Sequence, residues 1–596
     1  MFSLLKKVNK VLNSKWFVIG SFAVFLYILG HFADKYYGYT TKDKTLTNIC
    51  SDGCGYYAYL PQYFIYPKDK HFSFFEKVNK IHPERPNEPN WISCNGNHKV
   101  DKYYIGYAVM QSPFFLATHT IQKIVHNQTT GYSLGYRIGV TISALFYWLL
   151  GSVFLFKFLK LFSISNFNSL ITVAAISFGT NLSFFTTHYS TFSHTTSYFL
   201  IASFLLLAKL VLVSNYKIKR NLLLLSVVMA LICITRPPNI IIILFVPFLS
   251  NNFLDFKLRF LAILKENYKV LVFGAFFAFL IIAIQLKVTF DQIGEIRLVT
   301  YSNEWFSEWK TPHIISVLFG YNKGFFIYAP VMLLIIPGLI YVFFSNRYLF
   351  FGYVIVFSLI IYMTASWHSW DYGSGFGMRP LIDFLPLICL PIAFLFQKAK
   401  IIYYIIFSII GISCVYVFQF YFYQIEKAII DTNNVTEEDF WKTFMNDDDR
   451  LSWHFAYNTQ VIDEQNYKKD CQFDIPIHKL KNQGLTLNSI DNITTIFPSK
   501  NNIEQIAFRL TLAAQIKLEK SNPQIVTSFY KNDSIVYSYP LLIGSEIIKK
   551  HRFESLKFDV FPLFKYSDFD SIQINFFEKN NQETFKNPKI EFFKLK

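Results

Sequence analysis

Seven ionisable residues lie near the ends of long apolar runs, where charged side chains are unusual. They are Asp52, Lys102, His188, His194, Arg236, Asp371 and Arg379. A charge at the edge of a membrane-spanning segment is costly unless it meets a partner or a polar ligand, so a set of both signs predicts a wet, ligand-holding cavity. Asp52 is the candidate general base for an attacking hydroxyl. The cations Lys102, Arg236 and Arg379 are candidate ligands for a phosphate.

Each of these residues also has a plainer interpretation. Asp52 and Gly53 form an Asp-Gly pair that is typical of a tight turn, although a turn does not need an aspartate at a membrane edge. Any of the cations, Arg236 among them, could be an anchor that reaches the interface or one half of a structural ion pair. His188 and His194 flank a predicted turn, where histidines commonly satisfy local hydrogen bonds rather than bind a substrate or a metal.

Membrane-spanning helices are the elements that must position these residues. The chain has 596 residues, of which 52% are hydrophobic, 19% aromatic and 16% charged, far from a soluble average. We predict a polytopic helical membrane protein with eleven spans, at 16–32, 138–160, 168–187, 195–214, 220–235, 238–250, 270–288, 326–345, 348–366, 380–396 and 401–423. The fifth and sixth spans share the break Arg236-Pro237-Pro238 and could form a shallow hairpin instead.

The basic residues indicate how these spans are oriented. The formal net charge is +17, and lysines and arginines cluster before the first span and between later spans on one side. The positive-inside rule then predicts a multi-pass membrane protein with a cytoplasmic N-terminus and a C-terminal region on the outer side. This placement accounts for the charge, so membrane lipids and not nucleic acid are the expected partners. The run 16–32 lacks a small-residue cleavage site and is expected to be retained.

Three outer segments are longer or more unusual than a connection needs, at 33–137, 289–325 and 367–379. The first is predicted to carry a surface helix over 109–124, with Tyr103, Tyr104 and Tyr107 at headgroup depth. In the second, interfacial anchoring is the favoured interpretation of Trp305 and Trp309. The third combines aromatic, acidic and glycine residues, and its glycines would let the backbone approach a ligand closely.

Four cysteines fall on the predicted outer side, where disulfides can persist: Cys50, Cys54, Cys94 and Cys471. Four cysteines allow three pairings, and the sequence does not choose among them. A metal at Cys50 and Cys54 is the weaker interpretation, because their spacing is not that of a zinc ribbon.

The polar region beyond the last span changes character twice. Residues 426–499 are predicted to be an acidic helical or irregular linker, with a helix over 436–456. From about residue 500 the apolar period becomes two, as Ile506, Phe508 and Leu510 alternate with polar neighbours. Residues 500–596 are therefore predicted to form a small β-sandwich outside the membrane.

Several motifs carry a resemblance to a known family. They are Asp52-Gly53-Cys54-Gly55-Tyr56-Tyr57-Ala58-Tyr59-Leu60-Pro61, Lys102-Tyr103-Tyr104-Ile105-Gly106, Gln111-Ser112-Pro113-Phe114-Phe115 and Gly377-Met378-Arg379-Pro380. With a first span followed at once by an acidic motif and a large outer loop, residues 10–425 resemble the GT-C membrane glycosyltransferases. Within that group the chain is most similar to ArnT-like, protein mannosyltransferase-like and RgtA/B/C/D-like members.

The resemblance implies inverting transfer of a sugar from a polyprenyl-phosphate donor to the hydroxyl of a lipid, glycan or protein. It also implies that this transfer takes place on the periplasmic face of the bacterial inner membrane, with the C-terminal region in the periplasm. It assigns the general base to Asp52 and the donor phosphate to Lys102, with Arg379 as a second contact. Further candidate substrate contacts are Arg236, His194, His188, Asp371, Tyr56 and Tyr57. Many members carry a second acidic residue beside the base, but here Ser51 and Gly53 flank Asp52. No cofactor is predicted, and a divalent metal is kept as an alternative.

Two other classes of protein compete with the enzyme. A transporter would show polar residues in mid-span and repeated halves, and the apolar runs here have neither feature. A non-catalytic assembly subunit of an envelope complex would use the C-terminal β-region for docking.

Overall fold

The structure is a computed structural model of the chain. It describes residues 10–39, 47–69, 72–81, 92–95, 98–213, 218–296, 304–373, 375–427, 429–430, 435–447, 467–474, 485–487, 506–515, 524–531, 534–542, 554–560, 571–577 and 584–595. The chain divides into two compact units, Met1–Phe422 with Thr432–Thr436, and Tyr423–Asp431 with Glu437–Lys596. The domain boundaries predicted at residues 425 and 499 stay a prediction.

Helices make up most of the described chain. In chain order they are α1 (Lys15–Tyr37), α2 (Asp52–Phe64), α3 (Phe74–Ile81), α4 (Gly106–Ile124), α5 (Leu134–Lys160), α6 (Asn166–Gly179), α7 (Leu182–Thr187), α8 (His194–Val213), α9 (Ile218–Thr235), α10 (Phe253–Glu266), α11 (Tyr268–Ile293), α12 (Ile314–Phe319), α13 (Phe325–Tyr328), α14 (Ile335–Ser345), α15 (Arg347–Ala365), α16 (Leu385–Ile388), α17 (Leu390–Lys398), α18 (Ile401–Glu426) and α19 (Glu437–Thr443). The described 3₁₀ helices are Pro237–Leu249, Pro330–Leu334 and Arg379–Ile382.

Among the described residues, seven helices are long and apolar enough to cross a membrane: α1, α5, α8, α9, α11, α15 and α18. The count rises to as many as eight when the 3₁₀ helix Pro237–Leu249 and α10, which meet at 107°, are taken as one span. These helices coincide with predicted spans, because a bilayer demands a long apolar run that the sequence displays directly. The chain thus has the make-up of a polytopic helical membrane protein.

The other predicted spans are not continuous α-helices. These are 168–187, 238–250, 326–345 and 380–396. The first is interrupted between α6 and α7, and the second is a 3₁₀ helix that begins at Pro237. The last two are divided into short helices, with Pro330 and Pro386 at the start of new segments. Proline lacks the N–H that a continuous helix needs, so these last two runs are divided although their hydropathy is that of a single span.

An aromatic-rich core encloses the segment that carries Asp52. Helix α2 is buried from Gly53 to Gln62, and Tyr57 and Tyr59 are core members with Phe75 of α3. A helix with two glycines and an internal proline has poor intrinsic propensity, so tertiary packing must stabilise it.

The helix predicted over 109–124 is present as α4. Tyr103, Tyr104 and Tyr107 are buried within the protein, with at most 9% of each exposed, and their depth in a membrane stays a prediction. The physical reason for their burial is local hydrogen bonding and ring packing: the Tyr107 hydroxyl donates to the Ser190 carbonyl at 3.2 Å, and its ring packs 6.0 Å from that of Tyr56.

Strands occur in both units. In the first unit, β1 (Ile92–Asn95) and β2 (His98–Asp101) pair antiparallel and end directly before Lys102. The second unit contains β3 (Tyr467–Asp474), β4 (Leu485–Leu487), β5 (Ile506–Gln515), β6 (Gln524–Lys531), β7 (Ser534–Leu542), β8 (Glu554–Val560), β9 (Ser571–Phe577) and β10 (Thr584–Leu595). They form antiparallel sheets of order β3-β10-β5-β8 and β4-β9-β6-β7. Of the helix predicted over 436–456, Glu437–Thr443 is present, and residues 448–456 lie outside the described residues.

Candidate functional site

Asp52 is the first residue of α2, and its local geometry is tightly constrained. Ser51 before it has a φ of 51°, in the left-handed region that L-residues seldom adopt. Gly53 after it packs so closely on a neighbouring segment that an added Cβ would lie 1.9 Å from Thr191 Oγ1. Only glycine permits this approach. The carboxylate of Asp52 is further stabilised by its place at a helix N-terminus.

The Asp52 carboxylate has a partner on each oxygen. Oδ2 lies 2.7 Å from Arg379 Nη1, and Oδ1 accepts a hydrogen bond of 2.8 Å from the Tyr103 hydroxyl. Burial disfavours the charged form, but the Arg379 charge and the Tyr103 hydrogen bond outweigh it and hold the pKa of Asp52 below its ordinary value of 3.8. Asp52 is therefore an ionised acceptor at neutral pH.

Arg379 is positioned by the glycine-rich loop that precedes it. Gly375 and Gly377 have φ values of 140° and 59°, conformations that favour glycine. Lys323, only 1% exposed, donates to the Gly375 carbonyl and holds the loop from behind. The Arg379 guanidinium also lies 5.3 Å over the Phe192 ring. The loop therefore holds the guanidinium close to Asp52.

Asp52, Tyr103 and Arg379 border a cavity of about 740 Å³. Of the residues predicted for the site, the cavity wall brings together Asp52, Tyr56, Lys102, Arg236 and Arg379. Glu304 is also on this wall, so three lysine or arginine side chains and two carboxylates face one space. A cavity with this many charges is suited to a polar, anionic ligand group.

Lys102 contacts a carboxylate from outside the predicted set of site residues. Its ammonium Nζ lies 2.5 Å from Glu304 Oε1, and the side chains are 16% and 37% exposed, respectively. Because Glu304 is partly open to solvent, it is the cavity carboxylate that an incoming anion can most easily replace at Lys102.

Arg236 contacts a carboxylate that is fully buried. Arg236 Nε lies 3.0 Å from Asp383 Oδ2, and the side chains are 20% and 0% exposed, respectively. Asp383 also accepts from Asn239 Nδ2 at 2.8 Å and contacts His194 Nδ1 at 2.9 Å. A buried carboxylate needs this many donors to offset the loss of water. Asp383 lies behind the cavity wall, because it is not among the residues that line the cavity.

Aromatic side chains form another part of the cavity wall. They are Tyr56, Tyr103, Tyr104, Trp305, Phe306, Trp309, Trp367, Tyr372 and Phe384. Phe306 contacts Trp367 edge to face with ring centroids 4.9 Å apart, and Trp309 is 5.5 Å from Phe306. Trp305 and Trp309, for which anchoring was the favoured interpretation, therefore lie on the cavity wall. Charged and aromatic surfaces together suit an amphipathic ligand.

Four predicted site residues do not line the cavity. His194 reaches it only indirectly, through Asp383 and then Arg236. His188 is 1% exposed and contacts Thr187 Oγ1 at 2.8 Å through Nδ1. The Tyr57 hydroxyl donates to the Gly131 carbonyl at 2.6 Å inside the aromatic core. Asp371 accepts from Ser369 Oγ at 2.7 Å within its own turn. In the structure these side chains stabilise local packing instead of meeting a ligand in this cavity.

The predicted disulfide set is not realised between Cys50 and Cys54, which both carry thiols. The Cys54 thiol instead donates to the Ile49 carbonyl at 3.3 Å, because the first turn of α2 directs it inward. Burial raises the pKa of the Cys50 thiol, so Cys50 is also a poor thiolate. The side chains of Cys94 and Cys471 lie outside the described residues.

Three residues that shape the site were missed from the predicted set: Tyr103, Glu304 and Asp383. Tyr103 is beside a predicted phosphate ligand in the sequence, but only the fold brings its hydroxyl to Asp52. Asp383 had a signal, since a lone acidic residue inside the predicted apolar span 380–396 marks a functional or paired position. Glu304 had none, because its partner Lys102 is far away in the sequence.

In the part of the chain that the structure describes, no three His, Cys, Asp or Glu side chains are grouped to hold a metal ion. The two carboxylates that line the cavity each contact a cationic side chain instead.

No family model, curated protein or solved structure matches the chain. The chemistry of the cavity itself must therefore indicate the function.

Proposed function

We propose that the chain is a GT-C-like membrane glycosyltransferase, which moves a sugar from a polyprenyl-phosphate donor to an acceptor hydroxyl on a lipid, glycan or protein. One observation carries the proposal: Asp52 shares a cavity wall with Lys102, Arg236 and Arg379. Transfer from a phosphate donor needs cations for the phosphate and a base for the nucleophile within one space.

In the proposed reaction the acceptor oxygen attacks the anomeric carbon from the face opposite the phosphate. The bond from that carbon to the phosphate oxygen breaks, and its electron pair leaves with the polyprenyl phosphate. The hydroxyl proton passes to Asp52. The configuration at the anomeric carbon inverts. Phosphate gains a negative charge as it leaves, so the cavity cations stabilise it and no proton donor is needed.

Donor binding also prepares the base. In the structure Asp52 and Arg379 neutralise one another at 2.7 Å. When the donor phosphate shares the Arg379 guanidinium, Asp52 loses part of the charge that lowers its pKa, and its affinity for a proton rises. The carboxylate therefore becomes a better base only when a donor is present.

We place this reaction on the periplasmic face of the bacterial inner membrane, with the N-terminus cytoplasmic. The clusters of basic residues support this orientation. Eleven crossings would comprise the seven long apolar helices, the bent pair, the shorter apolar helices Pro330–Ser345 and Leu385–Lys398, and α6 with α7 as one interrupted span. We further propose that the two C-terminal sheets pack as a periplasmic β-sandwich, because their orders connect strands that are distant in sequence.

The proposal is tested by transfer of labelled sugar from a polyprenyl-phosphate donor in membranes that contain the protein. Asp52→Asn should lower transfer by about 100-fold or more, since it removes a general base while keeping the size of the side chain. Asp371→Asn is the matched control, because Asp371 is an outer-side aspartate that does not line the cavity.

Folding must be checked by thermal unfolding of each purified variant. Equal transfer by wild type and a folded Asp52→Asn variant would show that Asp52 is not the base. No transfer by the wild type from any polyprenyl-phosphate sugar would favour a non-catalytic assembly subunit or a transporter over an enzyme.

A further inference from the structure

A buried carboxylate organises the wall of the cavity from behind. Asp383 has no exposed side-chain surface, yet both of its oxygens are engaged. Oδ2 accepts from Arg236 Nε at 3.0 Å and from Asn239 Nδ2 at 2.8 Å, and Oδ1 lies 2.9 Å from His194 Nδ1. Because the carboxylate only accepts, His194 must carry its proton on Nδ1. Donors from two separate segments therefore fix the orientation of Asp383.

The position of Asp383 in the chain links it to the other arginine of the cavity. Arg379 starts a 3₁₀ turn that ends at Ile382, and Asp383 follows directly. One turn of chain therefore places Arg379 against Asp52 and Asp383 against Arg236. Both arginines line the cavity and are 14% and 20% exposed, respectively. Asp383 cannot meet a ligand itself, because it is closed off from the cavity.

The Arg236 guanidinium is held at two of its nitrogen atoms. Asp383 engages Nε, and Nη1 lies 3.4 Å from Ser193 Oγ. The planar guanidinium cannot rotate about its long axis without losing the Nε contact, so its exposed part keeps a fixed direction. Pro237 and Pro238, which follow Arg236 and begin the next 3₁₀ helix, restrict the backbone beside it.

We propose that Asp383 is a positioning residue that aims the Arg236 guanidinium at the donor phosphate, which makes Arg236 a further cationic ligand beside Lys102 and Arg379. The inference rests on the proposed function, because it assigns an anion to the cavity. It separates two roles for carboxylates near one ligand: Glu304 competes with the anion from inside the cavity, whereas Asp383 orients a cation from outside it.

Charge alone and orientation predict opposite results for Asp383→Asn. The substitution makes the site more positive, so a purely electrostatic effect would strengthen anion binding. If Asp383 acts by orientation, the substitution releases Arg236 and weakens binding. The probe is undecaprenyl phosphate, titrated into nanodiscs that hold the full chain, with tryptophan fluorescence as the signal because three tryptophans line the cavity. Undecaprenol, which has the same lipid chain and no phosphate, is the reference ligand.

We expect Asp383→Asn to weaken undecaprenyl phosphate binding by about ten-fold and to leave undecaprenol binding unchanged. Arg236→Gln should have an effect of the same size, and the double variant should be no weaker than Arg236→Gln alone, because both changes remove one interaction. The matched control is Asp255→Asn. Asp255 Oδ1 lies 2.8 Å from Arg259 Nε, and neither residue lines the cavity. This variant should bind undecaprenyl phosphate like the wild type.

Tighter or unchanged phosphate binding by a folded Asp383→Asn variant would overturn the inference, as would additive losses in the double variant. If Asp383→Asn does not fold, Arg236→Lys replaces it, because lysine keeps the charge and lacks the planar fork. Unchanged binding by Arg236→Lys would then overturn the inference. A different outcome concerns the proposed function: a wild type that does not prefer undecaprenyl phosphate over undecaprenol would refute that function and this inference with it.

Discussion

Glu304→Gln should strengthen the binding of a polyprenyl phosphate, although it removes a residue from the candidate site. In the structure Glu304 Oε1 lies 2.5 Å from Lys102 Nζ, the position that a phosphate oxygen would take. A donor must therefore displace this carboxylate or share the ammonium with it. Glutamine keeps the shape of the side chain but removes the competing charge.

The magnitude follows from the exposure of the pair. At an effective dielectric constant of about 20, two unit charges about 4 Å apart attract by about 4 kcal/mol before the cost of removing them from water is counted. Glu304 is 37% exposed, so solvent screens the pair and its net contribution falls toward the ~1 kcal/mol of surface ion pairs. Removing that competition should tighten undecaprenyl phosphate binding by about two- to five-fold.

The assay is the nanodisc titration with undecaprenyl phosphate and undecaprenol. The control is Glu308→Gln, on the same segment, because Glu308 bonds to Ser307 and Thr311 and does not line the cavity. Glu308→Gln should bind undecaprenyl phosphate with the same affinity as the wild type. Weaker phosphate binding by Glu304→Gln would refute the reasoning, because Glu304 would then stabilise the bound state instead of competing with it.

Two further predictions concern Asp52 and its neighbour. Because the pKa of Asp52 is lowered in the ligand-free protein, kcat/KM for transfer should stay flat between about pH 7 and pH 5, and an acidic limb in that window would contradict the ionised base. The acidic limb of kcat should lie at higher pH than that of kcat/KM, because the bound donor phosphate shares the Arg379 guanidinium and so raises the pKa of Asp52. Gly53→Ala should destabilise the protein by about 1–3 kcal/mol and so lower its thermal midpoint, because the added Cβ would lie 1.9 Å from Thr191 Oγ1. Gly20→Ala, whose added Cβ has nothing within 4 Å, should not lower the midpoint. Equal midpoints for the two alanine variants would contradict the close packing.

The membrane-spanning helices could largely be predicted from the sequence. Helices such as α8 and α15 coincide with predicted spans, because a long apolar run has few alternatives to a helix in a bilayer. The runs at 326–345 and 380–396 are equally apolar, yet they are divided into short helices. Hydropathy reports only the summed free energy of transferring a segment out of water, so it does not reveal where prolines break a helix.

The candidate site was predictable only in part. Asp52, Lys102 and Arg379 could be selected because charges beside apolar runs are rare and need a reason. Their neighbours were harder. The contact between Lys102 and Glu304 joins residues 202 positions apart, and no local pattern marks such a pair. Asp383 stood in an apolar run that was interpreted as a span, and its buried role became visible only with its donors in place.

The sequence by itself therefore determined the chemical groups of the site and the membrane setting, since both follow from residue type and local spacing. Tertiary structure alone decided which charges meet. Asp52 with Arg379, Lys102 with Glu304 and Arg236 with Asp383 are three ion pairs formed across distant segments. Under the proposed function, their pairing sets which carboxylate would act as a base, which one would compete with the donor phosphate and which one would orient a cation. The physical reason is that the energy of a charged side chain depends on its distance from other charges and on its burial, and folding fixes both.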